Sequence, residues 1–404
     1  MERRLQAIWW DGSVIGHLIQ RGTIYFVYDE AWIRRGHDLS PLSLPFTTIA
    51  FNGSKGIDGV PGLIADCLPD SWGRKVARQE FAKNKWGEPT AMSLLAWRGK
   101  RGVGALHFMP ALQEGSSALE SISAAALARG AAEIERGEPS KVLEQLAKGG
   151  TAGGAYPKSL VLAYADGTLR VGAPDGVGQP SLLKIDLSED GNKAAAEHAY
   201  ALMAGAAGIR SVQTQLIKEK GTSKRRHLLV RRFDVPEIKQ PEQRLHFHSV
   251  SGLLQKPAGE LDYRDFFRTA IRLNTSPQEL REVARRMVFN VLASNHDDHA
   301  KNHAFFYHEE RREWSLTPAF DVTYDAGMLE RGMLVNGDVW PEATTMEALC
   351  LDAGLAKEEI QQIFREVIRA LKKWPRFAKE AGLSATKTKE IRERHQLIQS
   401  RVQI

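Results

Sequence analysis

Asp297 and Asn302, in the run Asn295-His296-Asp297-Asp298-His299-Ala300-Lys301-Asn302, are spaced to divide two tasks of phosphoryl transfer. Asp297 can accept the proton of an attacking hydroxyl. Asn302 can offer an amide oxygen to a hard divalent cation such as Mg²⁺, and Lys301 can offset charge building on the transferred phosphate. A second carboxylate, Asp321, follows 24 residues after Asp297, in Thr317-Pro318-Ala319-Phe320-Asp321-Val322. Two short runs of β formers lie between them, Ala304 to Tyr307 and Trp314 to Thr317. A hairpin of that length can return the chain to its starting place, so that Asn302 and Asp321 grip one Mg²⁺ through oxygen atoms.

Three upstream features suit the other end of a nucleotide. Gly149-Gly150-Thr151-Ala152-Gly153-Gly154-Ala155-Tyr156-Pro157-Lys158 precedes a strand. Its glycines would let backbone N–H groups approach phosphate oxygens; a flexible linker reads the same way. Lys184 lies in the apolar strand Ser181 to Leu187, where an isolated lysine must either reach solvent or meet an anion. Glu197 follows 13 residues later on an alanine-rich helix and could pair with Lys184. Each part is ambiguous alone. Their order (glycine loop, strand lysine, helix glutamate, Asp-x-x-x-x-Asn, hairpin, aspartate) is that of protein kinases, in which the hairpin's far aspartate and the loop's asparagine hold metal.

The elements that must position these residues are legible in outline. Ala7 to Trp10, Val14 to Ile19 and Thr23 to Tyr28 read as a β-meander punctuated by Asp11-Gly12 and Arg21-Gly22. A helix is predicted over Ser71 to Lys83, a mixture of glycines and β formers over Trp97 to Phe108, and one or two surface helices within 115–147. Strands are predicted over Ser159 to Ala163, Leu169 to Gly172, Ser181 to Leu187 and His227 to Phe233, with a helix over Ala194 to Ala207. Beyond Tyr263 helices dominate. One begins at Pro277 and shows Val283, Met287, Val288, Val291 and Leu292 on one face. The expected fold class is α+β and bilobal, protein-kinase-like, with a β-rich N-terminal part facing a helical C-terminal lobe across an ATP cleft. The expected divisions are 1–112 (accessory unit), 113–240 (nucleotide lobe) and 241–404 (helical catalytic lobe).

Composition narrows the class. The 404 residues are 43% hydrophobic and 26% charged, ordinary globular usage that argues against global disorder. Two cysteines, Cys67 and Cys350, supply no disulfide framework or metal-ligand spacing, so a reducing cytoplasm is expected. The apolar stretch after Met1-Glu2-Arg3-Arg4 ends at Trp10, too short for a signal sequence, and no run approaches the roughly 18 apolar residues of a membrane span. The net charge of +6 is modest for this length. Basic clusters at Lys224-Arg225-Arg226, Arg285-Arg286 and Lys372-Lys373 read first as solvated faces, although a non-enzymatic DNA-binding or scaffold component would carry such clusters too. A third reading takes His296, His299 and His303, one helical turn apart, as ligands of a metal-dependent phosphohydrolase. Polar loop residues bonding to the loop are the plainer account of His296 and His303, with His299 orienting it.

Several segments also resemble those of HipA-type serine/threonine-protein kinase toxins of type II toxin–antitoxin systems: Gly153-Gly154-Ala155-Tyr156-Pro157-Lys158, Leu229-Val230-Arg231-Arg232-Phe233-Asp234, the 295–302 octad, Thr317 to Asp321, and in the N-terminal part Leu68-Pro69-Asp70 and Gly102-Val103-Gly104-Ala105-Leu106. The resemblance runs from the first strand to roughly residue 375. It implies a cytoplasmic kinase that takes ATP and Mg²⁺, phosphorylates a translation-related protein such as an aminoacyl-tRNA synthetase, and is held down by a helix-turn-helix antitoxin through which it contacts DNA indirectly. By position, it makes Asp297 the base and Asn302 and Asp321 the Mg²⁺ ligands. Lys184 would contact the ATP phosphates, and the backbone of Arg231, Arg232 and Phe233 the adenine. Gly153 to Lys158, Glu197, His299 and Phe320 complete the nucleotide contacts, and Thr151 stands at the autophosphorylation position. Two departures stand out: threonine replaces the usual serine at 151, and Arg231 stands where some relatives carry an acidic residue.

Overall fold

Contacts divide the chain into two units, Met1–Gly191 with Ile217–Phe247, and Asn192–Leu216 with His248–Ile404. The computed structural model describes residues 3–113, 118–149, 154–219, 225–240, 242–325 and 331–402. Thr151 and Gly153, for which roles are expected, lie outside the described residues.

The first unit begins with the expected meander: β1 (Arg3–Ile8), β2 (Val14–Arg21) and β3 (Thr23–Tyr28) pair antiparallel in sequence order. Gly12 and Gly22 turn the chain with φ of 90° and 74°, values that cost a residue with a Cβ dearly. Helices α1 (Glu30–Arg35), α2 (Gly62–Ala65), α3 (Ser71–Asn84) and α4 (Ala91–Arg98) follow, with β4 (Phe51–Asn52) and β5 (His107–Met109) closing a sheet of order β4-β3-β2-β1-β5. The glycine-bearing stretch after Trp97 therefore opens as the last turn of a helix rather than as strand. The capping box of Thr90 with Ser93 starts that helix, and Gly99 ends it.

The same unit continues with β6 (Glu120–Ile122), α5 (Ala124–Glu135), α6 (Leu143–Lys148), β7 (Lys158–Ala163), β8 (Leu169–Val171) and β9 (Gln179–Lys184). Two later strands complete a six-stranded sheet of order β10-β11-β9-β7-β8-β6: β10 (Thr214–Lys218), which the sequence reading missed, and β11 (Arg226–Arg231). β10 is half-exposed along its length, so it lacks the apolar run that marks an inner strand. Strand β9 stops at Lys184, short of the expected Leu187, and Asp186 instead closes a turn onto Ser188.

Helix α7 (Asn192–Ala206) belongs to the second unit, although its residues fall inside the 113–240 span. It packs on the later helical segments 357–372 and 374–380, with Tyr200 edge-on to Trp374, and its residues Ala195, Ala199, Met203 and Ala204 are buried. The rest of this unit is α8 (Val250–Leu254), α9 (Tyr263–Arg272), α10 (Pro277–Leu292), α11 (Ala343–Asp352), α12 (Lys357–Lys372), α13 (Trp374–Glu380) and α14 (Ala385–Val402). A three-stranded sheet of order β12-β13-β14 is built from β12 (His246–Ser249), β13 (Ala304–His308) and β14 (Glu313–Leu316). Pro277 opens α10 where a missing N–H costs nothing. Its expected apolar face (Val283, Met287, Val288, Val291, Leu292) is buried. The α+β class is as expected, β-rich in the N-terminal part and helical in the C-terminal part.

Candidate active site

Helix α10 delivers the chain to the loop. Its last turn is held by Tyr200, whose buried hydroxyl donates to the Ala293 carbonyl at 2.5 Å and lies 2.8 Å from His395 Nε2. Ser294 then takes φ of 54°, a left-handed conformation that turns the chain sharply out of the helix. Asn295 is fixed by its side-chain bond to Asn290 at 3.0 Å. Asn302 closes the loop: its N–H donates to the His299 carbonyl at 2.8 Å, and its Nδ2 to the Asp297 carbonyl at 2.9 Å. With the amide nitrogen so engaged, Oδ1 is the atom left to accept.

Asn302 stands two residues before β13, and Asp321 five residues after β14. The hairpin pairs Phe305 with Leu316 and Tyr307 with Trp314, and Thr317 N–H continues the ladder onto Ala304. Past Pro318 the chain runs beside 210–212, with Ala319 N–H donating to the Arg210 carbonyl and Val212 N–H to the Ala319 carbonyl. Asp321 itself adopts φ of 55°, which aspartate tolerates better than most residues. The outcome is a small cavity within the second unit, lined by Asn295, Asp298, Asn302, Phe320 and Asp321 among others. An amide and a carboxylate among the lining residues of one cavity offer the hard oxygen donors that Mg²⁺ takes.

Asp297 is not among the residues lining that cavity. Its side chain is 38% exposed, with His299 Nε2 at 3.9 Å, too far for a hydrogen bond. Lys301, four residues further on, is half-buried. The neighbouring carboxylate behaves differently. Asp298 is fully buried, accepts from the Tyr263 hydroxyl at 2.8 Å and meets Arg331 at 3.5 Å. Burial pushes its carboxyl up to about 6, a rise that Arg331 and Tyr263 hold in check. Sequence reasoning assigned no role to Asp298, Tyr263 or Arg331. The adjacent acidic pair Asp297-Asp298 was the only hint, and nothing in it says which carboxylate points inward.

The three histidines of the loop diverge. His296 packs on Trp340 with ring centres 5.3 Å apart, and His303 lies buried against Phe266 and Tyr263 at 4.5 and 5.8 Å. Burial, reinforced by the charges of Arg286 and His299, keeps the His303 imidazole neutral far below its ordinary value. Among the described residues, no three His, Cys, Asp or Glu side chains are grouped to share a metal ion.

In the first unit, the expected phosphate contacts have their own geometry. Lys158, buried at the start of β7, stands directly opposite Lys184 at the end of β9. Cross-strand partners leave a sheet on the same face, and two ammonium groups there raise the local positive potential that attracts an anion. Trp72 donates to the Lys158 carbonyl at 2.8 Å. Asp70 precedes α3, yet its side chain does not cap the helix; it accepts the Gly154 N–H at 2.7 Å and so ties down the end of the glycine-rich stretch. Ala155 and Tyr156 are exposed, and Pro157 leads into β7 with its carbonyl accepting Ile185 N–H. At the end of β11, Arg231 is exposed. The Arg232 guanidinium is engaged by Asp234 at 2.5 Å and by the Gly102 carbonyl, and Phe233 meets Phe247 edge to face. Asp234 in turn accepts Gly104 N–H. Gly102 and Gly104 thus sit against this segment because their backbones approach it closely. Glu197 is half-buried on α7 in the second unit.

Fold and site together define a two-unit α+β protein with an Asp-x-x-x-x-Asn loop, a hairpin and a returning aspartate. Residues 150–374 match the HipA-like C-terminal domain and residues 6–109 the HipA N-terminal domain. The chain belongs to the HipA family. It is 24% identical over 400 residues to "Putative kinase Y4mE" of Sinorhizobium fredii, covering 95% of this chain and 87% of that protein. Its fold is shared by the HipA of Shewanella oneidensis MR-1, solved with HipB and its operator DNA. That likeness has a TM-score of 0.73 at 17% identity and covers 99% of this chain and 96% of that one. No helix of the described residues is long and apolar enough to cross a membrane.

Proposed function

We propose that the protein is an ATP- and Mg²⁺-dependent serine/threonine protein kinase of the HipA type. The observation that carries this reading is that Asn302 and Asp321, from the two sides of a hairpin, line one cavity next to a loop that leaves Asp297 partly exposed. Asn302 and Asp321 would hold Mg²⁺, which when bound supplies charge neutralisation to the nucleotide phosphates. Asp297 orients the acceptor hydroxyl and takes its proton. Lys301 faces charge gathering on the transferred group, and Lys184 with Lys158 binds phosphate oxygens. Positioning and charge stabilisation are the main demands of such a transfer, and rigid loops meet them.

The acceptor is a protein, with a translation component such as an aminoacyl-tRNA synthetase as the class the family suggests. A helix-turn-helix antitoxin is the proposed regulator, supported by the Shewanella protein's complex with HipB and DNA. The test is incubation with Mg²⁺ and γ-labelled ATP beside an Asp297→Ala variant. The wild type should transfer label and the variant should lose transfer while still binding ATP. Wild-type transfer by the variant would remove Asp297 from the role. Mass spectrometry of the same reaction examines Thr151 as the autophosphorylation position.

A further inference from the structure

We propose that Arg331 and Gly332 are positioning residues for phosphate transfer: they dock the chain that follows Asp321 back onto the Asp297 loop and fix the backbone on both sides of Asp297. The inference rests on the reading of 297–302 as the transfer loop.

Three anchors bracket Asp297. On the side before it, Arg331 Nη2 donates to the Asn295 carbonyl at 3.3 Å, and Gly332 N–H donates to the His296 carbonyl at 2.7 Å. On the side after it, the same guanidinium nitrogen meets Asp298 Oδ2 at 3.5 Å. A ring of buried bonds backs these contacts. Tyr263 from α9 donates to Asp298 at 2.8 Å, Asn290 from α10 donates to the Tyr263 hydroxyl at 2.9 Å, and Asn295 donates to Asn290 at 3.0 Å. The docking segment is itself held on α9, with Tyr263 N–H donating to the Leu334 carbonyl at 2.9 Å.

The Arg331 side chain is 1% exposed and that of Asp298 0%. A buried ion pair adds little stability over a well-packed apolar pair, because desolvation offsets its attraction. What a guanidinium supplies and an apolar side chain cannot is directional bonding to residues on either side of Asp297. Gly332 is a second, uncharged witness to the same docking. A Cβ there would stand 2.7 Å from His299 N and 3.0 Å from its Cα, so any larger residue must push this segment off the loop. The Asp297 side chain stays partly exposed while its backbone is held.

The experiment compares the full-length wild type with Arg331→Gln, Arg331→Lys and Gly332→Ala. Three measurements are made on each: turnover with Mg²⁺-ATP and dephosphorylated casein, Kd for Mg²⁺-ATP, and hydrogen exchange of the 296–302 amides. Arg331→Gln and Gly332→Ala should lower kcat roughly 100-fold, the scale of an ångström-sized misplacement, with Kd within about threefold of wild type. Their 296–302 amides should exchange faster while those of α12 and α14 keep their protection. Arg331→Lys, which keeps charge but loses one direction of bonding, should fall between. Unchanged exchange in the loop, or a kcat loss in Arg331→Gln absent from Gly332→Ala, would overturn the proposal. If the wild type transfers no phosphate yet the loop loosens as expected, the kinase reading falls and the docking stands.

Discussion

Two regions with proposed roles toward ATP, one in each unit, are built in opposite ways. The loop from Ser294 to Asn302 is set in a buried polar network that draws on α9, α10 and the 331–334 segment, and Ser294, Asn295, His296, Asp298 and Ala300 each bond to a residue more than 30 positions away in sequence. The described end of the glycine-rich stretch, from Gly154 to Tyr156, is largely exposed, with Asp70 bonding to Gly154 before Pro157 enters β7. Each suits its proposed task. A group that must hold a hydroxyl and a metal within a few tenths of an ångström gains from a rigid frame. A segment that must admit and release a nucleotide gains from few anchors.

The sharpest way to break this contrast is at the loop's metal side. Asp321→Ala should reduce phosphate transfer by at least about 1,000-fold and weaken Mg²⁺-ATP binding as well, since a lost carboxylate leaves the cation one hard ligand short. Parallel rate and equilibrium-dialysis measurements separate this from the Asp297 variant, and undiminished Mg²⁺-ATP affinity would remove Asp321 from the metal.

Next in size is a pH effect on the frame beneath the loop. His395 is buried against Tyr200 and Trp374, and burial holds its pKa down at about 4. The unfolded chain, with an ordinary imidazole near 6.5, binds the extra proton first. This contribution is therefore complete above about pH 6.5 and drains away as pH falls toward 4, by at most about 3 kcal/mol. Urea melts at pH 7 and pH 4.5 should show it, and His395→Gln should flatten the difference.

Smaller effects belong to the exposed end. Lys184→Met should raise the Kd for ATP by roughly tenfold to fiftyfold with the fold intact, because one of two facing cations is lost. Asp70→Ala should raise it only about threefold to tenfold, through loss of one charge-assisted bond to Gly154. If Asp70→Ala weakens ATP as much as Lys184→Met does, the glycine-rich stretch is as tightly framed as the loop, and the contrast between the two regions fails.

Much of the architecture was readable because it rests on local rules. The meander announces itself through alternating β formers and two Xaa-Gly turns, and α10 through Pro277 and one continuous apolar face. Strand β10 escaped because a half-exposed strand shows no clear period. The end of β9 was misplaced because Asp186 forms its turn in the middle of an apolar run.

The amino-acid sequence alone determined which elements are proposed to carry the chemistry and the order in which they come: Asp297, Asn302, a hairpin and Asp321 are separated by spacings that short-range geometry constrains. Only the tertiary structure decided which acidic residue of the Asp297-Asp298 pair faces outward and which is buried, that Asp70 serves Gly154 rather than its own helix, and that Lys158 faces Lys184. Those choices depend on groups tens of residues away competing for each polar atom. Pairing over such distances follows from how the whole chain packs, and no local pattern encodes it.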